Sequence, residues 1–383
     1  MVDFSLSEEQ SALTDMVAKF AKNEMIPIAA EYDRRGEFPM ELAQKAHELG
    51  LVNVNVPEEY GGSDLGAMEG CLVGEWLTYG CAGIATSILL NQIVVTPILI
   101  FGTPDQKETF LRLLCASQEV RFISLAMTEP GVGSDLGSLS TKAEKRDGYY
   151  EINGRKTFIT NGDMATVFVV LARTDPEKVH KGISAFLATN KAGIEVGKKE
   201  DKMGIRASRT VELLFDNVLI PEENLLAEEG MGFSVAMDTL DRSRALAASM
   251  AVGLAQRALD EALKYASERV QFGKPLLKHQ LIQGKLADMS MEIDAARLLT
   301  WRAAWLADQG KLPVLESSQA KAFAGDVAMR SATEAVQIFG GYGYMKDYPV
   351  EKLMRDAKIF QIYEGTSEIQ RLVIAAELAK KVM

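Results

Sequence analysis

The sequence predicts a mainly helical protein with a β domain in the middle of the chain. Two helix-start signals lie in the first third: Ser7 to Gln10 forms a capping box, and Thr103 precedes a helix with Pro104 at its first position. Short β-rich runs follow residue 122, and apolar residues at helical spacing return after Pro221. This order predicts an N-terminal helical domain (1–121), a middle β-barrel or sandwich domain (122–235) and a C-terminal four-helix bundle (236–383).

The N-terminal domain contains the most apolar stretch of the chain, residues 84–101. Polar Asn91 and Gln92 and the helix-breaking Pro97 interrupt it, so a buried helix is expected here and not a membrane span.

The middle domain is predicted from several short strands. Residues 149–152 and 155–160 flank Asn153 and Gly154, a pair typical of a tight hairpin turn. Residues 167–171, 183–187 and 211–215 are further β-rich runs separated by turn residues.

The C-terminal domain begins with apolar residues on one helical face. The stripe consists of Val252, Ala255, Leu259, Leu263 and Ala266. A stripe of this width predicts a helix that packs against neighbouring helices.

Composition and charge limit the classes of function. The 383 residues carry a net charge of −11, which argues against general nucleic-acid binding because that requires clustered Lys and Arg. The chain has 3 cysteines without metal-ligand spacing and 3 isolated histidines. A sparse, odd set of cysteines favours a reducing compartment, and residues 1–20 lack a signal-peptide pattern, so a cytoplasmic location is expected.

Four segments have residues suited to ligand binding or catalysis. Residues 128–135 combine glycines with the hydroxyls of Thr128 and Ser134, and residues 158–162 place an aromatic ring and a threonine at a strand end. Residues 337–344 contain three glycines, and residues 362–371 contain Glu364 between an aromatic residue and a Gly-Thr-Ser turn. Taken singly, each segment also fits a surface loop, a strand end, a helix stop or a solvated glutamate.

In this order and spacing, the four segments resemble the acyl-CoA dehydrogenase family, nearest its medium-chain and short-chain members. The resemblance runs from Phe4 to Arg371 and includes residues 77–81, 268–274 and 348–357. It implies an N-terminal helical domain, a middle β domain and a four-helix bundle, with one FAD per subunit in a homotetramer.

The resemblance also implies roles for individual residues. Thr128 and Thr160 would hydrogen-bond the flavin ring and Phe158 would cover it, while Arg269 and its neighbours would hold the pyrophosphate and adenosine. A neighbouring subunit would bring Gln337, Gly340 and Gly341 to that same half. The FAD residues implied are Leu125, Ala126, Met127, Thr128, Gly133, Ser134, Phe158, Ile159, Thr160, Arg269, Gln271, Phe272, Gln280, Gln337, Gly340, Gly341, Thr366 and Glu368.

For the acyl-CoA substrate, the resemblance implies contacts from Ser134, Asp241, Arg244, Tyr363 and Gly365. Arg244 would supply local positive charge to CoA. Glu364 would remove the α-proton of the thioester while the β-hydrogen leaves as hydride to the flavin, which gives a 2-enoyl-CoA. An electron-transferring flavoprotein would then reoxidise the cofactor.

Two departures from the family pattern bear on function. Phe158 stands where many relatives have tryptophan, which could change electron transfer to the partner. Some relatives carry the base on the helix that here contains Ser243, but that helix segment offers no well-placed glutamate, so Glu364 is the candidate.

Three alternatives stay open at this point. An enoyl-CoA reductase would use the same residues in reverse, and a non-catalytic CoA-binding relative could keep the fold. A flavin-dependent acyl-CoA oxidase is disfavoured because such relatives are usually longer. The acyl group is expected to be short to medium in length, with branched and alicyclic groups included, because Leu90, Ile93 and Val94 share one helical face that could shorten the pocket.

Overall fold

The computed structural model describes residues 4–190 and 192–382. Its elements follow the predicted order of N-terminal helices, a β sheet and C-terminal helices, which confirms the fold class.

The N-terminal helices begin where their capping residues predict. Ser7 Oγ accepts from the Gln10 amide at 3.1 Å, and Thr103 Oγ1 accepts from the Gln106 amide at 3.2 Å. The side-chain oxygen of each glutamine in turn accepts from the backbone amide of its capping residue, so both capping boxes are complete. The helices are α1 (Glu8–Phe20), α2 (Ile26–Arg35), α3 (Met40–Glu48), α4 (Ala67–Gly80), α5 (Ala82–Val94), α6 (Thr96–Phe101) and α7 (Pro104–Cys115), with a π-helical turn at Ala21–Met25.

Helices α5 and α6 cover the apolar stretch Ala82–Phe101. By length and composition this stretch could cross a membrane, but most of it is buried inside the protein. Asn91 explains how polar groups are accommodated there: its side chain bonds the Asn53 side chain and the Arg121 carbonyl at 2.9 and 2.8 Å.

The middle domain forms one branched sheet among the described residues. Its strands follow the order β6-β7-β3-β2-β4-β5-β8, and β1 pairs in parallel with β4. Aromatic residues such as Tyr150 and Phe186 fill a core that belongs to this domain alone. The strands are β1 (Phe122–Ala126), β2 (Lys142–Lys145), β3 (Tyr149–Thr160), β4 (Ala165–Arg173), β5 (Ile183–Thr189), β6 (Glu195–Lys199), β7 (Thr210–Pro221) and β8 (Leu225–Leu226).

The hairpin predicted at Asn153 and Gly154 is wrong. Both residues lie within the continuous strand β3, where the pairing with β7 shifts register between Ile152 and Gly154. Gly154 has φ 157°, and a Cβ there would lie 2.5 Å from Thr141 Oγ1. The glycine is therefore required for close packing at a β-bulge and not for a chain reversal.

The C-terminal domain is a helical bundle. Helix α8 starts at Gly232, four residues before the predicted boundary at 236. Val252, Ala255, Leu259 and Ala266 of the predicted stripe are buried, but Leu263 is exposed. The elements are α8 (Gly232–Glu268), β9 (Val270–Gln271), β10 (Lys274–Pro275), α9 (Gln280–Asp308), α10 (Val314–Phe339), α11 (Val350–Ala357) and α12 (Ser367–Ala379).

The three domains meet at charged residues of α11. Asp356 is 0% exposed and accepts from the Ile205 amide of the middle domain and from Lys352, each at 2.5 Å. Arg355 pairs with Asp33 of the N-terminal domain at 2.8 Å. Burial alone would lower the pKa of Lys352, but the negative charge of Asp356 raises it overall. The ammonium is therefore charged and depends on Asp356.

We expect Asp356→Asn to destabilise the protein by about 3–5 kcal/mol, because it leaves the buried Lys352 without its counter-charge. Thermal unfolding should show a clear drop in the midpoint. Glu24→Gln is the matched control, since Glu24 pairs with Lys45 on the surface, and it should change the midpoint far less. Equal effects of the two variants would contradict the role given to Asp356.

Candidate active site

Glu364 lies in a strained turn between α11 and α12. Its φ is 55° and that of Gly365 is 83°, so two successive residues have the left-handed conformation. For a residue other than glycine this conformation costs on the order of 1–3 kcal/mol and persists only where neighbours fix it.

Three side chains fix the turn. Ser243 of α8 donates to Glu364 Oε2 at 2.6 Å, and Gln370 of α12 donates to the Glu364 carbonyl at 3.0 Å. Lys321 of α10 donates to the Gly365 carbonyl at 2.5 Å. Helices on three sides therefore hold both the backbone and the carboxylate of Glu364.

The environment of Glu364 raises the pKa of its carboxyl above the ordinary value. Burial is the main cause, and the Ser243 hydroxyl and the charges of Lys321 and Arg244 oppose it. A carboxylate with a raised pKa is a stronger base than a solvated one, while its neighbours still favour the ionised form.

Tyr363, the residue before Glu364, lies near helix α5. Burial raises the pKa of its phenol, and the nearby Thr86 hydroxyl opposes that change. Thr86 belongs to α5, so the residue before Glu364 lies beside the apolar helix of the N-terminal domain.

A buried ion pair shapes the loop that contains Thr128. Glu129 Oε1 lies 2.9 Å from Lys156 Nζ, and the Glu129 carboxylate also accepts from the amides of Ser140 and Thr141 at 2.7 and 2.9 Å. Lys156 is 0% exposed and donates to the Met127 carbonyl at 3.1 Å. The pair thereby joins this loop to strand β3.

Glu129 also makes the loop sensitive to acid. Burial alone would raise the pKa of its carboxyl, but Lys156 and the hydrogen bonds lower it to about 2. Because the ordinary glutamate pKa is about 4.3, the stabilising contribution of Glu129 is present above that pH and is lost as the pH falls towards 2.

Phe158 stands out from the end of β3. Its φ is 59°, at a second register shift between Lys156 and Ile159, and its side chain is 63% exposed. The bulge turns a large aromatic ring outward beside the Thr128 loop, since the Thr157 amide donates to the Thr128 carbonyl at 2.8 Å. An exposed, strained aromatic residue is unusual in a strand and indicates a ligand surface.

The other residues predicted around Phe158 divide into three groups. Thr128 and Thr160 are partly exposed, and Gly133 and Ser134 lie in the open loop. Ala126 and Ile159 belong to the core of the middle domain, so their side chains point away from this surface and only their backbone could contact a ligand. Leu125 and Met127 are partly buried.

A second cluster of predicted residues lies in the C-terminal domain. A cavity of about 470 Å³ is lined by Arg269, Gln271, Gly340, Gly341 and Tyr342, among others. The guanidinium of Arg269 lies 5.3 Å from the centre of the Tyr342 ring. One chain therefore brings Arg269, Gly340 and Gly341 to one cavity. The expected approach of Gln337, Gly340 and Gly341 from a neighbouring subunit stays a prediction.

The remaining predicted cofactor residues near this cluster and the turn are at the surface. Phe272, Gln280 and Gln337 are exposed. Thr366 caps α12, where its hydroxyl accepts from the Ile369 amide at 3.1 Å, and Glu368 is exposed in the first turn of that helix.

Arg244 differs from its expected setting. It is buried, pairs with Asp241 and donates to Ser318 Oγ at 3.2 Å. Its charge acts on Glu364 and Lys321 and is not displayed as a free surface cation. Contact of Asp241 and Arg244 with CoA stays a prediction.

Comparison with known proteins gives matches along the whole chain. The N-terminal, middle and C-terminal domains of acyl-CoA dehydrogenases match residues 7–118, 124–218 and 230–379. The chain belongs to the acyl-CoA dehydrogenase family.

Individual relatives of this acyl-CoA dehydrogenase are similar over nearly their full length. The mitochondrial short-chain specific acyl-CoA dehydrogenase of Rattus norvegicus is 46% identical over 98% of this chain and 91% of the relative. Butyryl-CoA dehydrogenase from Megasphaera elsdenii has a TM-score of 0.95 and 44% identity, over 99% of this chain and 100% of that one. A chain in the structure of the electron transferring flavoprotein of Acidaminococcus fermentans, described for flavin-based electron bifurcation, has a TM-score of 0.96 and 42% identity, over 98% and 99% of the two chains.

The acyl-CoA dehydrogenase is a flavoprotein oxidoreductase with FAD as its cofactor, and the residues present fit that group. A Cβ built at Gly131, Gly133, Gly340 or Gly341 would meet no heavy atom of the described residues within 4 Å, so these backbones are open to a ligand. The outward ring of Phe158 provides an apolar surface for a planar ring system.

Several residues that shape the site were not predicted as members of it. They are Lys321, Gln370, Glu129 and Lys156, together with Ser243 in its role as a partner of Glu364. A signal existed for Lys321, because it is a charged residue directly between two alanines, Ala320 and Ala322, of α10. The partnership of Glu129 with Lys156 spans 27 residues and has no local pattern.

We expect Lys156→Met to lower stability by about 3–5 kcal/mol and to increase FAD loss during dialysis, because Glu129 is left buried without its counter-charge. The double variant with Glu129→Gln should lose less than the sum of the two single variants, since the partners interact. Thermal unfolding and flavin absorbance after dialysis measure both effects. Full FAD retention and an unchanged midpoint in the single variant would contradict the assignment.

Proposed function

We propose that this acyl-CoA dehydrogenase oxidises short-to-medium acyl-CoA thioesters, including branched and alicyclic ones, to 2-enoyl-CoA. The observation that carries the proposal is the Glu364 turn, where a carboxylate with a raised pKa is held by the hydroxyl of Ser243.

Glu364 is proposed as the base for the α-proton. A proton next to a thioester carbonyl is weakly acidic, so its removal needs a carboxylate that is close, oriented and only partly solvated. The hydrogen bond from Ser243 restricts the rotation of the carboxylate. The left-handed backbone conformation of Glu364 restricts the direction in which the side chain leaves the main chain. A non-catalytic CoA-binding relative would not need a base held in this strained way.

Bound FAD supplies an acceptor for the β-hydrogen as a hydride. The residues proposed to hold its flavin half are those of the Thr128 loop and the end of β3, with Phe158 against the ring. Glu129 and Lys156 keep these two elements together.

The adenosine half is proposed to bind in the cavity of Arg269 and Gly340. Among the residues that the structure describes, none from the middle domain lines that cavity. We therefore propose that the flavin half binds one copy of the chain and the adenosine half another, within a homotetramer. The guanidinium of Arg269 would pair with the pyrophosphate.

An electron-transferring flavoprotein is proposed as the electron acceptor. This is supported by the similarity to the chain in the structure of the Acidaminococcus fermentans flavoprotein. The cytoplasmic location expected from the sequence stays a prediction.

The limit on acyl length is proposed to come from α5. Thr86 lies beside Tyr363, so this face of α5 is near the reacting carbons. Leu90 and Ile93 follow at helical spacing on the same face, where Leu90 is partly buried and Ile93 is buried. The relatives named above are a short-chain enzyme and a butyryl-CoA dehydrogenase, which agrees with a short pocket.

We expect Glu364→Gln to bind FAD and acyl-CoA but to reduce the flavin at least about a hundredfold more slowly, because the amide keeps the shape and cannot accept the proton. Anaerobic bleaching of the flavin by acyl-CoA measures the rate. Glu58→Gln, which changes an exposed carboxylate of the N-terminal domain, is the control and should bleach normally. Bleaching of Glu364→Gln at the wild-type rate would refute the proposed base.

We expect kcat/KM to rise with chain length by about 0.8 kcal/mol of binding per methylene until the pocket is filled, and then to fall. A series from about four to sixteen carbons locates the break. Leu90→Ala should move the maximum to longer chains because it removes side-chain volume from α5. A maximum at about twelve carbons or beyond in the wild-type enzyme would contradict the short pocket.

A further inference from the structure

Lys321 occupies an unusual position for a lysine. It lies in the middle of α10, is 2% exposed, and has the buried residues Ala320, Ala322 and Ala324 around it in sequence. An ammonium group in such surroundings has lost most of its hydration, which costs several kcal/mol per ion unless protein groups replace the water.

Lys321 contacts the turn that contains Glu364, the proposed base. Its ammonium donates to the carbonyl of Gly365, the residue directly after Glu364. After burial, the charged groups with the largest effects on the pKa of Lys321 are, in decreasing order, Glu364, Arg244, Asp326 and Glu368. Burial lowers the pKa of the Lys321 ammonium to about 8, so it is mostly charged at neutral pH.

We propose that Lys321 is a positioning residue for the base: it holds the Gly365 carbonyl, and thereby the left-handed turn, and its charge keeps the Glu364 carboxylate ionised. This inference rests on the proposed role of Glu364. Lys321 does not itself accept the substrate proton, because its ammonium faces the backbone of the turn.

A comparison of the side chains that contact the Glu364 turn supports this role. Ser243 donates a hydrogen bond to the carboxylate of Glu364, and Gln370 donates one to its backbone carbonyl. Lys321 combines a hydrogen bond to the backbone with a full positive charge. Arg244 also lowers the pKa of Glu364, but its guanidinium is already paired with Asp241. The charge of Lys321 lowers the pKa of Glu364 more than the charge of Arg244 does.

The test compares two replacements of Lys321 in the FAD-loaded enzyme. Lys321→Met removes both the donor and the charge, and Lys321→Gln removes the charge but keeps a donor. We expect Lys321→Met to reduce flavin at least about tenfold more slowly with little change in KM, since orientation and proton acceptance suffer more than binding.

The pH profile separates positioning from general stability. Activity requires ionised Glu364, so the rate falls as the pH drops through its pKa. Removing a positive neighbour raises that pKa, and both variants should move the acid limb upward by about one pH unit. Lys321→Gln should recover part of the rate at high pH, where Glu364 is ionised without help.

Lys358→Met is the matched control. Lys358 lies six residues before Glu364, is exposed and donates to Gln361, so its loss removes a nearby charge without touching the turn. We expect its acid limb to stay in place. An equal shift in this control would overturn the inference, because the effect would then be a general one of net charge.

Two further outcomes also decide the matter. If Lys321→Met lowers only the unfolding temperature and keeps the wild-type rate and acid limb, Lys321 is merely structural and the inference is wrong. If Lys321→Met fails to fold, Lys321→Gln takes its place in the test. An acid limb that does not move in Lys321→Gln would likewise show that the inference is wrong. Failure of the proposed function is distinct, because it would appear as normal flavin reduction by Glu364→Gln.

Discussion

The carboxylate of Asp356 is completely buried and receives hydrogen bonds from two domains at once. Its neighbour Arg355 reaches the third domain through Asp33, so a single turn of α11 is fixed to the whole molecule. Isolated buried charges are costly, but here each has a partner, and the penalty for separating the domains is correspondingly large. The elements around the proposed site are held by this junction together with the apolar core that runs through all three domains.

Glu364 follows Asp356 by eight residues, so the chain enters the Glu364 turn from a fixed point. The turn itself is strained, and α8, α10 and α12 each contribute a donor that offsets the strain. In the middle domain, the buried Glu129–Lys156 ion pair holds together the Thr128 loop and strand β3, which are proposed to contact the flavin. Both halves of the site are thus irregular backbone held in place by buried charged or polar groups.

The sequence was sufficient wherever the signal is local. The capping box at Ser7, the helix start at Thr103, most of the strand runs and the order of helical and β segments were predicted correctly, because each depends on neighbouring residues. The Asn153–Gly154 pair was misinterpreted since its conformation is set by β7 and Thr141, which are distant in sequence. The partners of Glu364 were missed for the same reason: Ser243 lies 121 residues away and Lys321 contacts Gly365 across 44.

The outward ring of Phe158 has a consequence for the amount of enzyme in a cell. FAD, proposed above to lie against this ring, binds the folded chain and not the unfolded one, so mass action adds to stability by about 2.7 kcal/mol when free FAD is at about a hundred times its Kd. The chain without flavin keeps an apolar ring in water and lacks that contribution. Loss of FAD should therefore lower the resistance of the chain to proteolysis as well as its activity.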